Sequence, residues 1–169
     1  MSVPMYDISM PVLSLGLTNI SHMIDKAVAH AEAKKFDSVV FAQARLFPDM
    51  FPFSRQVQIA CDMAKGCAAR LAGIEIPKYE DKEATMAELK ARVAKTKAFI
   101  ESVKASQFDH AATREIVITN PNNTFKFTGL SYVTTYVLPN FYFHGSMVYA
   151  LLRHNGVEIG KRDFLGAIQ

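Results

Sequence analysis

The chain has 169 residues, of which 50% are hydrophobic and 21% charged, and its 19 basic and 16 acidic side chains leave a net charge of +3. That length suits one domain covering residues 1–169 with a sizeable core, and the weak, evenly spread charge argues against a nucleic-acid surface. No apolar run approaches the roughly 20 residues that span a bilayer, and Met1 to Leu17 carries no basic stretch ahead of its apolar residues, so neither a membrane span nor a secretory leader is expected.

The first helix is predicted from about Val12 to Lys34, where Leu17, Ile20, Ile24, Ala27, Val28 and Ala31 recur at helical spacing. A connector follows, in which Asp37 is placed to cap a short turn through Ala42. The second helix starts near Pro52 and stops at Gly73. Its buried stripe is Phe53, Val57, Ala60, Ala64, Cys67 and Leu71, and its wet face is Arg55, Gln58, Asp62 and Lys65. Residues 75–84 read as a charged surface loop. Thr85 with Glu88 forms a capping box for the third helix, whose apolar positions are Met86, Leu89, Val93, Thr96, Ile100 and Val103.

The period then changes. Residues 115–119 and 124–128 alternate around Asn120-Pro121-Asn122-Asn123, which predicts a small hairpin ended by Gly129. The fourth helix covers about Ser131 to Asn155, kinked or restarted at Pro139 and stopped by Gly156. The expected fold is therefore all-α, a four-helix bundle with one hairpin between the third and fourth helices.

Cys61 and Cys67 lie six residues apart on one helix, a rise of about 9 Å that forbids a disulfide between them. Packing roles are expected for both, and free thiols fit a cytoplasmic protein.

Chemistry is expected on the fourth helix. Val133, Val137, Asn140, His144, Met147 or Val148, and Leu151 share a face, which places Asn140 and His144 inside the bundle one turn apart. Buried polar groups need partners: either other protein groups or water, or a metal or ligand held between helices. Gln56, at the border of the second helix's stripe, reaches either across to the His144 face or to nearby backbone. Phe53 beside it, and Tyr142 within the run Phe141-Tyr142-Phe143, complete the ligand-binding candidates. That aromatic run is explained by packing on several sides, by a pocket wall or by a dimer face. No phosphate loop or paired-cysteine zinc motif occurs in the sequence.

Several blocks carry a wider resemblance: Phe47-Pro48-Asp49-Met50-Phe51-Pro52 with Arg55-Gln56-Val57-Gln58, Asp62-Met63-Ala64-Lys65-Gly66, Pro139-Asn140-Phe141-Tyr142-Phe143-His144, and Leu152-Arg153-His154-Asn155-Gly156. With the opening Met5-Tyr6-Asp7-Ile8-Ser9 and the closing Lys161-Arg162-Asp163-Phe164-Leu165-Gly166, they resemble a domain family of unknown function in the DinB-like (DinB/YfiT) superfamily. The resemblance implies a four-helix bundle, often dimeric. Many members hold a divalent metal with three histidines, one from the second helix and two spaced by four on the last. Some members are thiol-dependent transferases or isomerases. Here the last-helix pair reads Asn140 and His144, and no histidine falls between His30 and His110. Amides are weak donors for zinc or nickel, so no cofactor is expected, with His144 the best ligand if a divalent metal is present.

Three functional readings follow. One is a metal-free bundle that binds a small apolar or thiol-bearing ligand near His144. The second is a metal-dependent transferase or hydrolase using His144. The third is a non-catalytic homodimer with a structural or interaction role.

Overall fold

The computed structural model describes residues 3–167, so the outermost residues of the expected 1–169 domain lie outside the described residues. Helix α1 (Met5–Lys34) begins about two turns before Val12 and carries Pro11 in its interior. A proline there removes one helical hydrogen bond, to the carbonyl of Asp7. Asp7 and Pro11 are both exposed, while Met5, Ser9, Met10 and Leu13 bury their side chains. Burial of this first face outweighs the local cost. Asp37 caps the short helix α2 (Val39–Ala42), its Oδ1 accepting from the Val39 N–H at 2.9 Å.

Helix α3 (Phe53–Ala72) starts after an extended Pro52 and ends on Gly73 in the left-handed region, φ 71°. Helix α4 (Met86–Ser102) opens on the Thr85–Glu88 capping box. Strands β1 (Glu115–Thr119) and β2 (Thr124–Thr128) pair antiparallel with Glu115 opposite Thr128, and Asn120 Oδ1 closes the turn by accepting from the N–H groups of Asn122 and Asn123. Gly129 is required where the chain leaves the hairpin, because a Cβ there would stand 1.8 Å from the Ala111 carbonyl oxygen.

The last long helix is built in three pieces: α5 (Gly129–Ser131), a π-helical stretch Tyr132–Val137, and α6 (Leu138–His154). Pro139 explains the middle piece. It has no N–H for a helical bond and its ring crowds the preceding turn, and widening that turn so that Leu138 N–H reaches the Val133 carbonyl relieves both. Phe141, four residues after Val137 and three before His144, rather than Asn140, occupies the inward position on the next turn. The expectation of a buried Asn140 is therefore corrected: Asn140 is half-buried and its Nδ2 donates to the Tyr136 carbonyl of its own helix at 2.7 Å. Helix α7 (Lys161–Leu165) folds back onto α1 and α6.

Around the bundle the order is α1, α4, α3, α6, each packed on its neighbours. Leu13, Leu17 and Ile24 of α1, Phe53, Val57 and Leu71 of α3, Leu89 and Ile100 of α4, and Val148 and Leu151 of α6 meet in the core. A fully buried side chain of this size contributes about 1.5–3 kcal/mol. The stripe expected for α3 is buried throughout, but its wet face is not wet: Gln58 is 5% exposed and Lys65 6%. The segment 73–85 lies over it, held by Arg92 of α4, itself only 4% exposed.

The guanidinium of Arg92 meets Asp62 at 3.0 Å, Asp81 at 3.1 Å and Glu83 at 3.0 Å, and donates to the Glu80 carbonyl at 3.3 Å. Burial alone favours its neutral form, but the hydrogen bond with Glu83 and the charges of Asp62 and Glu83 prevail and raise its pKa above the usual value. Asp62 is consequently not a free surface carboxylate as its place beside Gln58 and Lys65 suggests; it is half-buried and shared by Arg92 and Lys65.

Replacing Arg92 by Ala strands these carboxylates around a void. The expected result in urea denaturation is a loss of about 3–5 kcal/mol in unfolding free energy. A loss under about 1 kcal/mol, typical of an exposed pair, would contradict this account.

Candidate functional site

Two faces of α6 carry candidate chemistry. On the face toward α3, His144 is buried and its Nδ1 lies 2.7 Å from Gln56 Oε1. The amide's other end is fixed, since Gln56 Nε2 donates to the Phe51 carbonyl at 3.1 Å. An amide oxygen turned toward that carbonyl would repel it, so Oε1 must face the imidazole. Nδ1 therefore carries the proton and Nε2 the lone pair. Nε2 makes no hydrogen bond among the described residues. Burial, with a smaller contribution from the Arg55 charge, lowers the His144 pKa below its usual 6.5 and keeps the ring neutral at physiological pH.

Gln56 thus does both things its position allowed: it reaches across to His144 and it bonds backbone. Asn140 does not join them. Phe53 is fully buried in the core at the start of α3. Phe143, whose ring stands edge-on to His144 at 5.2 Å, is exposed, as are Phe47 and Phe51 of the segment before α3. Packing on several sides accounts for Phe141 and not for its two successors.

The residues around His144 do not fit a zinc or nickel ion. His144 offers a single ligand nitrogen, Nε2, the nearby Gln56 and Asn140 are neutral amides, and among the described residues no three His, Cys, Asp or Glu side chains converge. Cys61 and Cys67 are free and buried, and burial pushes each thiol up to about 12, far from the thiolate needed for nucleophilic or ligand chemistry.

The face of α6 toward α1 is different. Phe141, Tyr142 and Gly145 there line a cavity of about 220 Å³, with Val12, Leu15, Ile20 and Met23 of α1 opposite and Phe164 and Leu165 of α7 across its end. The lining holds no charged residue, and Asn19 and the Tyr142 hydroxyl are its polar groups. Asn19 Nδ2 donates to the Phe164 carbonyl at 3.0 Å, which ties α7 to α1. Asp163 strengthens the tie by pairing with Lys26 at 2.6 Å and His22 at 3.1 Å. The bond from Lys26, helped by the Gly160 N–H and by His22, draws the Asp163 pKa down to about 2.

Of the residues singled out from sequence, Tyr142 lines this cavity, His144 and Gln56 form the buried pair behind it, and Asn140 and Phe53 belong to neither. Sequence reasoning missed Asn19 and α7. The signal for Asn19 was present as a second row on α1 beside the core stripe, with Val12, Leu15 and Met23 at helical spacing from it. No pattern in residues 157–167 signalled where the tail docks.

The family model of a domain of unknown function, DUF1993, matches residues 5–165. A crystal structure of a DinB family member from Shewanella denitrificans is similar at 43% identity, covering 96% of this chain and 92% of that one with a TM-score of 0.88. No curated protein matches the chain. Among the described residues no helix is long and apolar enough to cross a membrane.

The buried neutral imidazole makes stability depend on pH. The unfolded chain takes up the His144 proton near 6.5, the folded chain only below that. Its contribution is therefore complete above about pH 6.5 and declines as the pH falls toward the lowered folded-state value. Replacing His144 by Leu should flatten the fall in denaturation midpoint between about pH 7 and pH 5. An unchanged slope would show that the ring is not held neutral by burial.

Proposed function

The chain belongs to the DUF1993 family of DinB-like proteins, and from that premise we propose that it binds a small, uncharged, largely apolar molecule between α1, α6 and α7 without a metal. The observation that supports this reading is the cavity of about 220 Å³ with an uncharged and mostly apolar lining. An apolar cavity of about 150 Å³ holds benzene, so this one suits a ligand of roughly nine non-hydrogen atoms. Asn19 lines the cavity beside α7, its Nδ2 committed to the Phe164 carbonyl and its Oδ1 lying against Gly166. The cavity flanks the α6 turn of His144 on the adjacent face, toward α1, and this reading puts the ligand there instead of beside the imidazole ring. His144 and Gln56 set the packing of α6 behind it. The buried, unreactive thiols favour a reducing compartment such as the cytoplasm.

The test is thermal unfolding with indole in the presence of EDTA. Indole should raise the midpoint saturably, by the linkage of ligand to the folded state. A Cβ at position 145 would meet Phe164 at an ordinary 3.6 Å, so Gly145→Ala should fold and bind, and Gly145→Leu should fill the space and abolish the shift. No shift in the unmodified protein, or one retained in Gly145→Leu, would overturn the proposal.

Phe47, Phe51 and Phe143, exposed by 63%, 55% and 53%, favour a second reading, in which a second copy of the chain covers the edge beside His144. Light scattering at high micromolar concentration should then give twice the 18.8 kDa chain mass, reduced toward one chain by Phe143→Ser. Monomer mass for the unmodified protein would count against it.

A further inference from the structure

We propose that the groove between α3, the 73–85 segment and the hairpin binds a small amphipathic anion, a carboxylate or phosphate carried on a flat apolar body, with Arg70 as its anchor. The groove encloses about 560 Å³ and is separate from the apolar cavity under α7.

Arg70 sits half-buried in the last turn of α3 and lines this groove. Arg55 and Arg92, which hold the same covering segment, both pair with carboxylates. Arg70 has no carboxylate within ion-pair distance among the described residues. Its position is nevertheless built. One N–H of Nη1 donates to the Tyr132 hydroxyl at 3.0 Å, and the guanidinium lies 5.7 Å from that ring's centroid. Gly66, one turn earlier, leaves room for this arrangement, with Nη1 2.5 Å from where its Cβ would stand. A long, flexible cation is thus folded back along its helix and fixed, with one donor used and its remaining donors unbonded among the described residues. The planar fork of a guanidinium matches the two oxygens of a carboxylate or phosphate.

The surroundings select what carries that anion. Tyr136 flanks the groove and stacks on Tyr132, with centroids 5.9 Å apart and planes 20° apart. Both tyrosines belong to the π-helical turn, a distortion that recurs at functional sites. Met63, Ile76, Pro77 and Ile118 supply apolar walls. The charge of Asp62 is already shared by Arg92 and Lys65, so it does not oppose an anion, and Lys78 adds an exposed cation without an ion pair among the described residues. Positive charge at one end and flat apolar faces beside it fit an amphipathic anion better than a free ion or a neutral ring.

Titration calorimetry with phenyl phosphate, benzoate, inorganic phosphate and phenol tests this. Saturable binding of phenyl phosphate or benzoate is expected, and whichever binds more tightly identifies the head group. Phenol and inorganic phosphate should each bind at least about tenfold more weakly, one lacking the charge and the other the ring. Arg70→Gln should weaken the anion about tenfold or more, and Lys78→Glu, a change at an exposed position that leaves the fold intact, should weaken it as well. Gly145→Leu should leave it unchanged, which separates this site from the cavity of the proposed function. Absence of saturable binding to the folded protein overturns the proposal. So does binding unaltered by Arg70→Gln and Lys78→Glu, or inorganic phosphate binding as tightly as phenyl phosphate.

Discussion

The buried guanidinium of Arg92 ties three separate stretches of chain together. It reaches from α4 to Asp62 on α3 and to Glu80, Asp81 and Glu83 on the covering segment. A buried cation without these partners would be costly, so the segment must lie where its carboxylates can meet it. Tyr79 is brought with it, its ring facing the charges of Lys65 at 4.1 Å, Lys95 at 4.2 Å and Arg92 at 5.1 Å. Once the segment is in place, the polar side of α3 becomes an interior surface, and Ile76 and Pro77 become a wall facing Tyr136 and Ile118. The groove around Arg70 is a consequence of how Arg92 is satisfied.

On the other side of the bundle, α6 separates two kinds of environment. Toward α3 it presents a histidine whose hydrogen bond to an amide fixes both tautomer and ring orientation. In metal sites a second-shell partner does that work for a ligating histidine; Gln56 plays the same part here and leaves Nε2 unbonded among the described residues, but the donors that would complete a coordination sphere are amides. Toward α1 the helix presents Phe141, Tyr142 and Gly145, and the space left between the helices is bordered by Phe164 and Leu165 of α7. The same DinB-like bundle therefore offers an imidazole oriented by an amide on one face and an apolar cavity that is not filled on the next.

Pro139 connects these features. By forcing a π turn ahead of itself it sets Tyr132 and Tyr136 on the widened turn, where they stack on each other and Tyr132 accepts from Arg70. The regular helix that follows carries Phe141 and Gly145 on the cavity side and His144 toward Gln56.

The helices themselves were legible in the sequence because their signals are local. The stripe of Phe53, Val57, Ala60, Ala64, Cys67 and Leu71, the Thr85–Glu88 box, the Asn120–Asn123 turn and the glycine stops at 73 and 156 each act within a few residues. So did part of the candidate site: His144 and Gln56 stood on inward positions at spacings a bundle brings together. What helical periodicity reports is the face a residue occupies, not what covers that face. Gln58, Asp62 and Lys65 read as solvated because their partners come from other segments of the chain, and Asn140 read as inward because positions 140 and 141 both fit a helical count between Val137 and His144 and only packing chooses between them. The cavity under α7 and the groove at Arg70 are spaces between elements distant in sequence, and only the packing of the whole chain, which decides where side chains fail to fill the gap, brings them into existence.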